Sequence, residues 1–492
     1  MSRIASLQPL AASKFGFEQA AHLLNRAGFG GTRPQIEALQ RMGLNRAVDY
    51  LVDYDRIDES DLPEPQCDPD IMRPPTAEER ELQKQARTDE VIQDRLRAAQ
   101  LFRQELDAKQ MVELERWWLG RLIATPRPLQ EKLTLLWHGH FASHYRAVGD
   151  SYLMLKQNQF FRTHAAGSFA DLALGIVRDP AMIKFLNNNS NRKGRPNENL
   201  ARELMELFTL GEGNYTEEDI KEGARALTGY TYQDNDFHFD KRAADMETKT
   251  ILGQTGMWDG ESFVRILLNR QDCPTFIAYK LYRHFVADID DGFSDLAKSF
   301  ITQLARLIWT MRYQLKPALK AMFRSQTFYD PAIMGNQIKS PAQLLVGTVR
   351  MLDMPVTDIN LLGDAMNMMG QKLFNPPSVA GWYGGRSWIN TSTLFVRQNL
   401  CTYLLTGKLP FRDGWSPDQI ELDPSQFIEG LEHPTPGQIV DHLLGTFCAV
   451  KLSPERREPL VKFLADRANP TSRDALIGVM LLITAMPEYQ LC

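Results

Sequence analysis

The sequence predicts a mainly α-helical protein, one large multi-helix body with a small β-hairpin insertion. Three observations lead there. Apolar residues recur at helical spacing along most of the 492 residues. Capping residues are frequent: Thr32, Thr76, Thr216 and Ser340 each precede an apolar periodic run, and Pro34 and Pro341 fall in first turns. Strand-like alternation is confined to residues 230–260, where Phe237 and Phe239 alternate with polar residues and 248–252 is β-prone.

The elements follow in order. Residues 17–26 form an amphipathic helix that ends in Gly28-Phe29-Gly30-Gly31, and Thr32 opens the next helix. Residues 55–77 are acidic and Pro-rich, a surface linker or long loop. Thr76-Ala77-Glu78-Glu79 is a capping box that opens a long charged helical stretch over 78–123. Helical period resumes at 129–141, 152–164 and 169–177. After a polar loop, 187–196, helices are expected at 198–210 and 216–228, the second stopped by Gly229. The hairpin insertion comes next, then helices at 261–268, 275–286, 293–310 and 315–324, and one opened by Ser340. Residues 370–390, rich in Gly, Pro and Trp, read as an ordered loop, since two tryptophans are costly to leave exposed. Helices at 393–406, 436–447, 455–468 and 472–484 complete a single domain spanning 1–492, without a repeat or a heptad run.

Composition excludes several function classes. Lys plus Arg is 56 and Asp plus Glu is 61, a net charge of −5, which argues against a nucleic-acid partner. No apolar run reaches membrane-span length, so no membrane span is expected. The five cysteines are an odd number and form no C-x-x-C pair, which suits free thiols in a reducing compartment. The N-terminus has neither an apolar h-region nor a twin arginine, so the cytoplasm is the expected location.

Several groups of residues could carry chemistry. Trp137-His138-Gly139-His140-Phe141 ends an apolar helix. Its two imidazoles could chelate a metal if Gly139 breaks the helix, or one could serve as acid or base; the bland alternative is two His stabilised by the helix dipole. In Asn197-Glu198-Asn199-Leu200-Ala201-Arg202-Glu203-Leu204-Met205-Glu206, α-helical geometry gathers Asn199, Glu203 and Glu206 on one face, with Arg202 at its edge. Two carboxylates three residues apart repel unless Arg202, a metal ion or a shared proton lies between them; the alternative is a solvated polar face. The loop Asn375–Asn390, with Trp382, Tyr383, Arg386 and Trp388, could bind a glycan or other polymer, or could plug the core with its tryptophans. Ser387 lacks the context of a hydrolase nucleophile. Arg26, at the end of the first helix, either serves the dipole or turns inward to meet these carboxylates.

At these residues the chain resembles the bacterial "domain of unknown function 1800" family over nearly its whole length. Asn197-Glu198-Asn199-x-Ala201-Arg202-Glu203-x-x-Glu206-Leu207-x-Thr209-Leu210-Gly211 carries the most specific match, supported by Ala224–Gly229 and Val379-x-Gly381-Trp382. The resemblance implies no established reaction. It does imply that the Asn-Glu-Arg helix and the His-x-His belong to one site, and that a partner with a sulfatase-like fold is to be expected.

Two functions fit these residues. The first is an enzyme whose polar site gathers His138, Asn199, Arg202, Glu203 and Glu206 as catalytic groups, with His138, His140, Glu203 and Glu206 holding a divalent metal. The second is a non-catalytic binding or assembly protein, with a structural polar network and a Trp-rich loop that binds a small molecule, a polymer or a partner.

Overall fold

A computed structural model describes residues 7–289, 292, 294–408 and 422–492. Residues 1–6 of the N-terminal stretch, and residue 293 of the expected 293–310 helix, lie outside it.

The expected caps form as hydrogen bonds. The Thr32, Thr76 and Thr216 side chains accept from the amides of Gln35, Glu79 and Asp219, and Ser340 accepts from Gln343. The charged stretch over 78–123 divides into Ala77–Gln85 and Glu90–Ala124. The break comes at Asp89, whose carboxylate accepts from the amides of Val91 and Ile92 and so starts a new helix. Residues 55–77 lie along this second helix, where Trp117 donates to the Pro63 carbonyl at 2.8 Å and Gln110 to that of Asp68 at 3.1 Å.

Three features differ from the sequence expectation. The insertion holds two antiparallel hairpins, Tyr230–Gln233 with Asp236–Phe239 and Lys249–Ile251 with Gln254–Gly256. Three helices carried too little periodicity to be read, Tyr145–Val148, Pro180–Phe185 and Ile359–Met368. The helix expected over 198–210 is α-helical only over Asn199–Glu203 and continues as π-helix over Leu204–Thr209. The Leu210 amide accordingly reaches back to the Met205 carbonyl, five residues earlier.

Buried apolar residues form two cores. One gathers Leu23, Leu133, Trp137, Phe141, Phe208 and Leu281; the other gathers Trp118, Leu135, Leu345, Leu362, Leu400 and Ile439. The helix Pro128–His140 contributes to both, so it is covered nearly all round. Two charges in its middle, Glu131 and Lys132, are therefore buried with it. Among the described residues no helix is long and apolar enough to cross a membrane.

Candidate functional site

A cavity of about 200 Å³ opens where the two cores meet. Four segments supply most of its lining: the Pro128–His140 helix, the last two turns of Asp272–Phe285, residues 337–343 and the Trp-rich loop; Phe29, Asp288 and Cys492 complete it. Its charged lining is Lys132, Lys280 and Arg283 against Asp288, with His140 and His284 beside them and Trp382, Tyr383 and Trp388 as aromatic walls.

The positive charges here are satisfied by neutral groups. Lys132 donates to the carbonyls of Asn25 at 2.9 Å and Gly28 at 2.6 Å, and to Gln343 Oε1 at 2.7 Å. Burial without a carboxylate pushes its ammonium down to about 7. Arg26 does turn inward, but it meets the Ile333 carbonyl at 3.1 Å and Asn336 Oδ1 at 2.9 Å, not the carboxylates of the 199–206 segment; its Nε and Nη1 have no partner. Arg283 donates to the Tyr383 carbonyl, which ties the Trp-rich loop to the cavity wall. Lys280 stands over the Phe276 ring, 4.9 Å from its centroid. Burial, then the Arg283 charge, push it down to about 8.

His140 is 5% exposed, and its Nε2–H donates to the Phe208 carbonyl at 3.0 Å. A carbonyl only accepts, so the proton sits on Nε2 and Nδ1 is a bare acceptor, which has no partner in the protein. Burial, then Lys280, push this ring down to about 3, and it stays neutral. His284 is likewise held down to about 3 by burial.

Of the candidate catalytic and metal-ligating residues read from the sequence, His140 alone lines the cavity. The helix runs on through His140, so Gly139 does not break it and the two imidazoles diverge by about 200°. The His138 ring packs among Trp118, Phe374 and Trp382. Asn199 is exposed, and Arg202 pairs outward with Glu217 at 2.8 Å and Glu198 at 3.2 Å. Glu206 accepts from the Tyr215 hydroxyl at 2.7 Å. His138, His140, Glu203 and Glu206 are thus not gathered as a ligand set, and no group of three or more His, Cys, Asp or Glu among the described residues is placed to hold a metal ion. The segment touches the cavity wall through the backbone, by the Phe208 carbonyl that anchors His140.

Glu203 is half-buried beside Glu206. Burial, then the Glu206 charge, raise its carboxyl to about 7. Its native value lies above the ordinary 4.5, so ionised Glu203 costs stability, and the cost grows as pH rises from 4.5 through 7. Glu203→Gln should therefore stabilise the protein above pH 7 by about 1 kcal/mol, allowing for solvent screening, and leave it unchanged below pH 4.5. Urea unfolding at both pH values checks this; equal effects at the two would refute it.

The Trp-rich loop packs inward and also faces the cavity. Trp388 is 7% exposed, yet it and Trp382 line the cavity, and Tyr383 stands 67% exposed at its edge. Two glycines make the close approach. An added Cβ on Gly381, whose φ is +75°, would stand 2.0 Å from the Gly139 carbonyl oxygen, and one on Gly139 would meet the Trp382 ring at 3.3 Å. The His-x-His turn and the Gly-Trp motif are thus one packed unit.

Sequence reasoning missed Lys132, Lys280, Arg283 and His284. A lysine in the middle of an apolar helix was a readable signal, whereas Lys280, Arg283 and His284 look like ordinary bases in a last turn.

Fold and cavity together define a mainly helical protein with a cationic, aromatic-walled cleft between two cores. The chain belongs to the family described as "protein of unknown function (DUF1800)", whose model matches residues 22–491. No curated protein matches it. No solved structure matches it either.

Proposed function

We propose that the protein binds a small anionic ligand, or the charged end of a larger one, in this cavity. One observation carries the reading: Lys132, Lys280 and Arg283 converge there against the single carboxylate side chain Asp288, and none of the three cations forms an ion pair among the described residues. Uncompensated buried cations are costly, and an anion supplies the missing charge at once. The aromatic walls suit a flat or sugar-like ligand face. At about 200 Å³ the cavity falls below the ~300–1,000 Å³ usual for drug-sized ligands, which favours a small molecule or an end group. The exposed Tyr383 ring leaves room for a polymer to continue outward.

The test is melting in sulfate against chloride at matched ionic strength, for the native protein and for Arg283→Ala and Lys280→Met. The native protein should gain stability, about 2.7 kcal/mol at a hundredfold excess over Kd. The gain should shrink in both variants, and should fade in the native protein as pH rises from about 7 through about 8, where Lys132 and then Lys280 lose their charge. General salting-out would stabilise all three alike, and that outcome would sink the reading.

A second reading keeps Glu203 and Glu206 as an acid–base pair, with Asn199 and Arg202 as its neighbours in sequence. A carboxyl held near 7 supports it. Neither glutamate lines the cavity, so Glu203→Gln and Glu206→Gln should leave the sulfate response intact. If they abolish it, the two places work as one site.

A further inference from the structure

We infer that Lys280 is a nucleophilic amine that condenses with the carbonyl carbon of a small anionic aldehyde or ketone held in the cavity, forming an imine. The inference rests on the anion reading above and adds a covalent step to it.

The two cavity lysines are held differently. Lys132 is held by three acceptors, two carbonyls and Gln343, which fix its nitrogen inside the wall. Lys280 has no hydrogen bond and no ion pair among the described residues; its ammonium meets the Phe276 face and the open cavity. A desolvated amine against an aromatic face and beside a second cation is a setting in which lysines become nucleophiles, because burial and the neighbouring charge both favour the neutral form. At the value of about 8 it reaches, roughly a tenth is neutral at pH 7. Arg283 lies one turn further along the same helix, fixed through the Tyr383 carbonyl, and can take the carboxylate of the incoming molecule.

The step balances without a further reagent. The Lys280 Nζ lone pair attacks the carbonyl carbon, a C–N bond forms as the C=O π bond opens, and a proton from nitrogen passes to the oxygen. The carbinolamine then loses its hydroxyl and the remaining nitrogen proton as water, leaving C=N.

The experiment incubates the full chain with glyoxylate and sodium cyanoborohydride, whose hydride reduces any imine to a stable amine, and maps the adduct by peptide mass spectrometry. The expected result is labelling of the Lys280 peptide about tenfold above other lysine peptides, suppressed by excess sulfate. Lys280→Arg and Lys280→Met should both lose that label, with unliganded melting showing whether each is folded. Sulfate stabilisation without preferential label at Lys280 overturns the imine and leaves anion binding standing. Absence of both overturns the two together. Even labelling of exposed lysines, untouched by sulfate, also overturns the imine.

Discussion

Glu131→Ala should lower the stability of the protein by about 3–5 kcal/mol, the loss expected when a buried ion network is broken from one side. Glu131 is 0% exposed and accepts from Arg121 Nε at 2.7 Å, Arg162 Nε at 2.5 Å and the Trp118 indole at 2.9 Å. Removing it strands two guanidiniums that are themselves almost fully covered. Arg121 keeps Glu59 at 2.5 Å, but Arg162 keeps no carboxylate. Burial alone would raise the Glu131 carboxyl; Arg162 and Arg121 outweigh it and hold it below its ordinary 4.5. A depressed native value means that the contribution is fully present above pH 4.5 and is lost as pH falls through the native value. Urea unfolding at pH 7 should show the full deficit, and the gap between variant and native protein should narrow below pH 4.5. A deficit under about 1 kcal/mol at pH 7 would mean that both arginines find water instead.

Gly381→Ala should cost about 3 kcal/mol or more and abolish the anion response with it. Two effects add. The φ of +75° disfavours any side chain, and the new Cβ would press on the Gly139 carbonyl at 2.0 Å. That carbonyl belongs to the helix that carries His140 and Lys132, so relief of the clash has to move the cavity wall or the Trp382 loop. Gly253→Ala is the matched control, with φ +78° and nothing within 4 Å, and should cost only the backbone term of about 1–2 kcal/mol. Paired melting curves with and without sulfate decide it. Equal losses at the two positions would show that the loop yields without cost and that the two motifs are not a single unit.

Much of the fold was legible because helix signals are local. Thr76 with Glu79, or Ser340 before Pro341, names a helix start from four residues. Short elements such as Pro180–Phe185 hold too few turns for a period to show. The candidate site was legible at His140 and in the Trp-rich loop. Asn199, Arg202, Glu203 and Glu206 lie away from this cavity, and only Glu206 falls in the π-helical part. His138 illustrates the same limit: two imidazoles two residues apart look like a pair in the sequence, but an unbroken helix sends one to an aromatic core and the other to the cavity.

The sequence by itself determined the mainly helical class, the positions of most helix starts, the hairpin insertion and the membership of residues 22–491 in their family. Each of these is written in short-range patterns of caps, periods and motifs. Tertiary structure alone decided which charges have partners. Glu131 and Lys132 are adjacent in the chain, yet one meets two arginines and the other meets only neutral groups. The physical reason is that burial makes a charge's free energy depend on whatever the rest of the fold brings within a few ångströms, and those neighbours lie up to two hundred residues away or more.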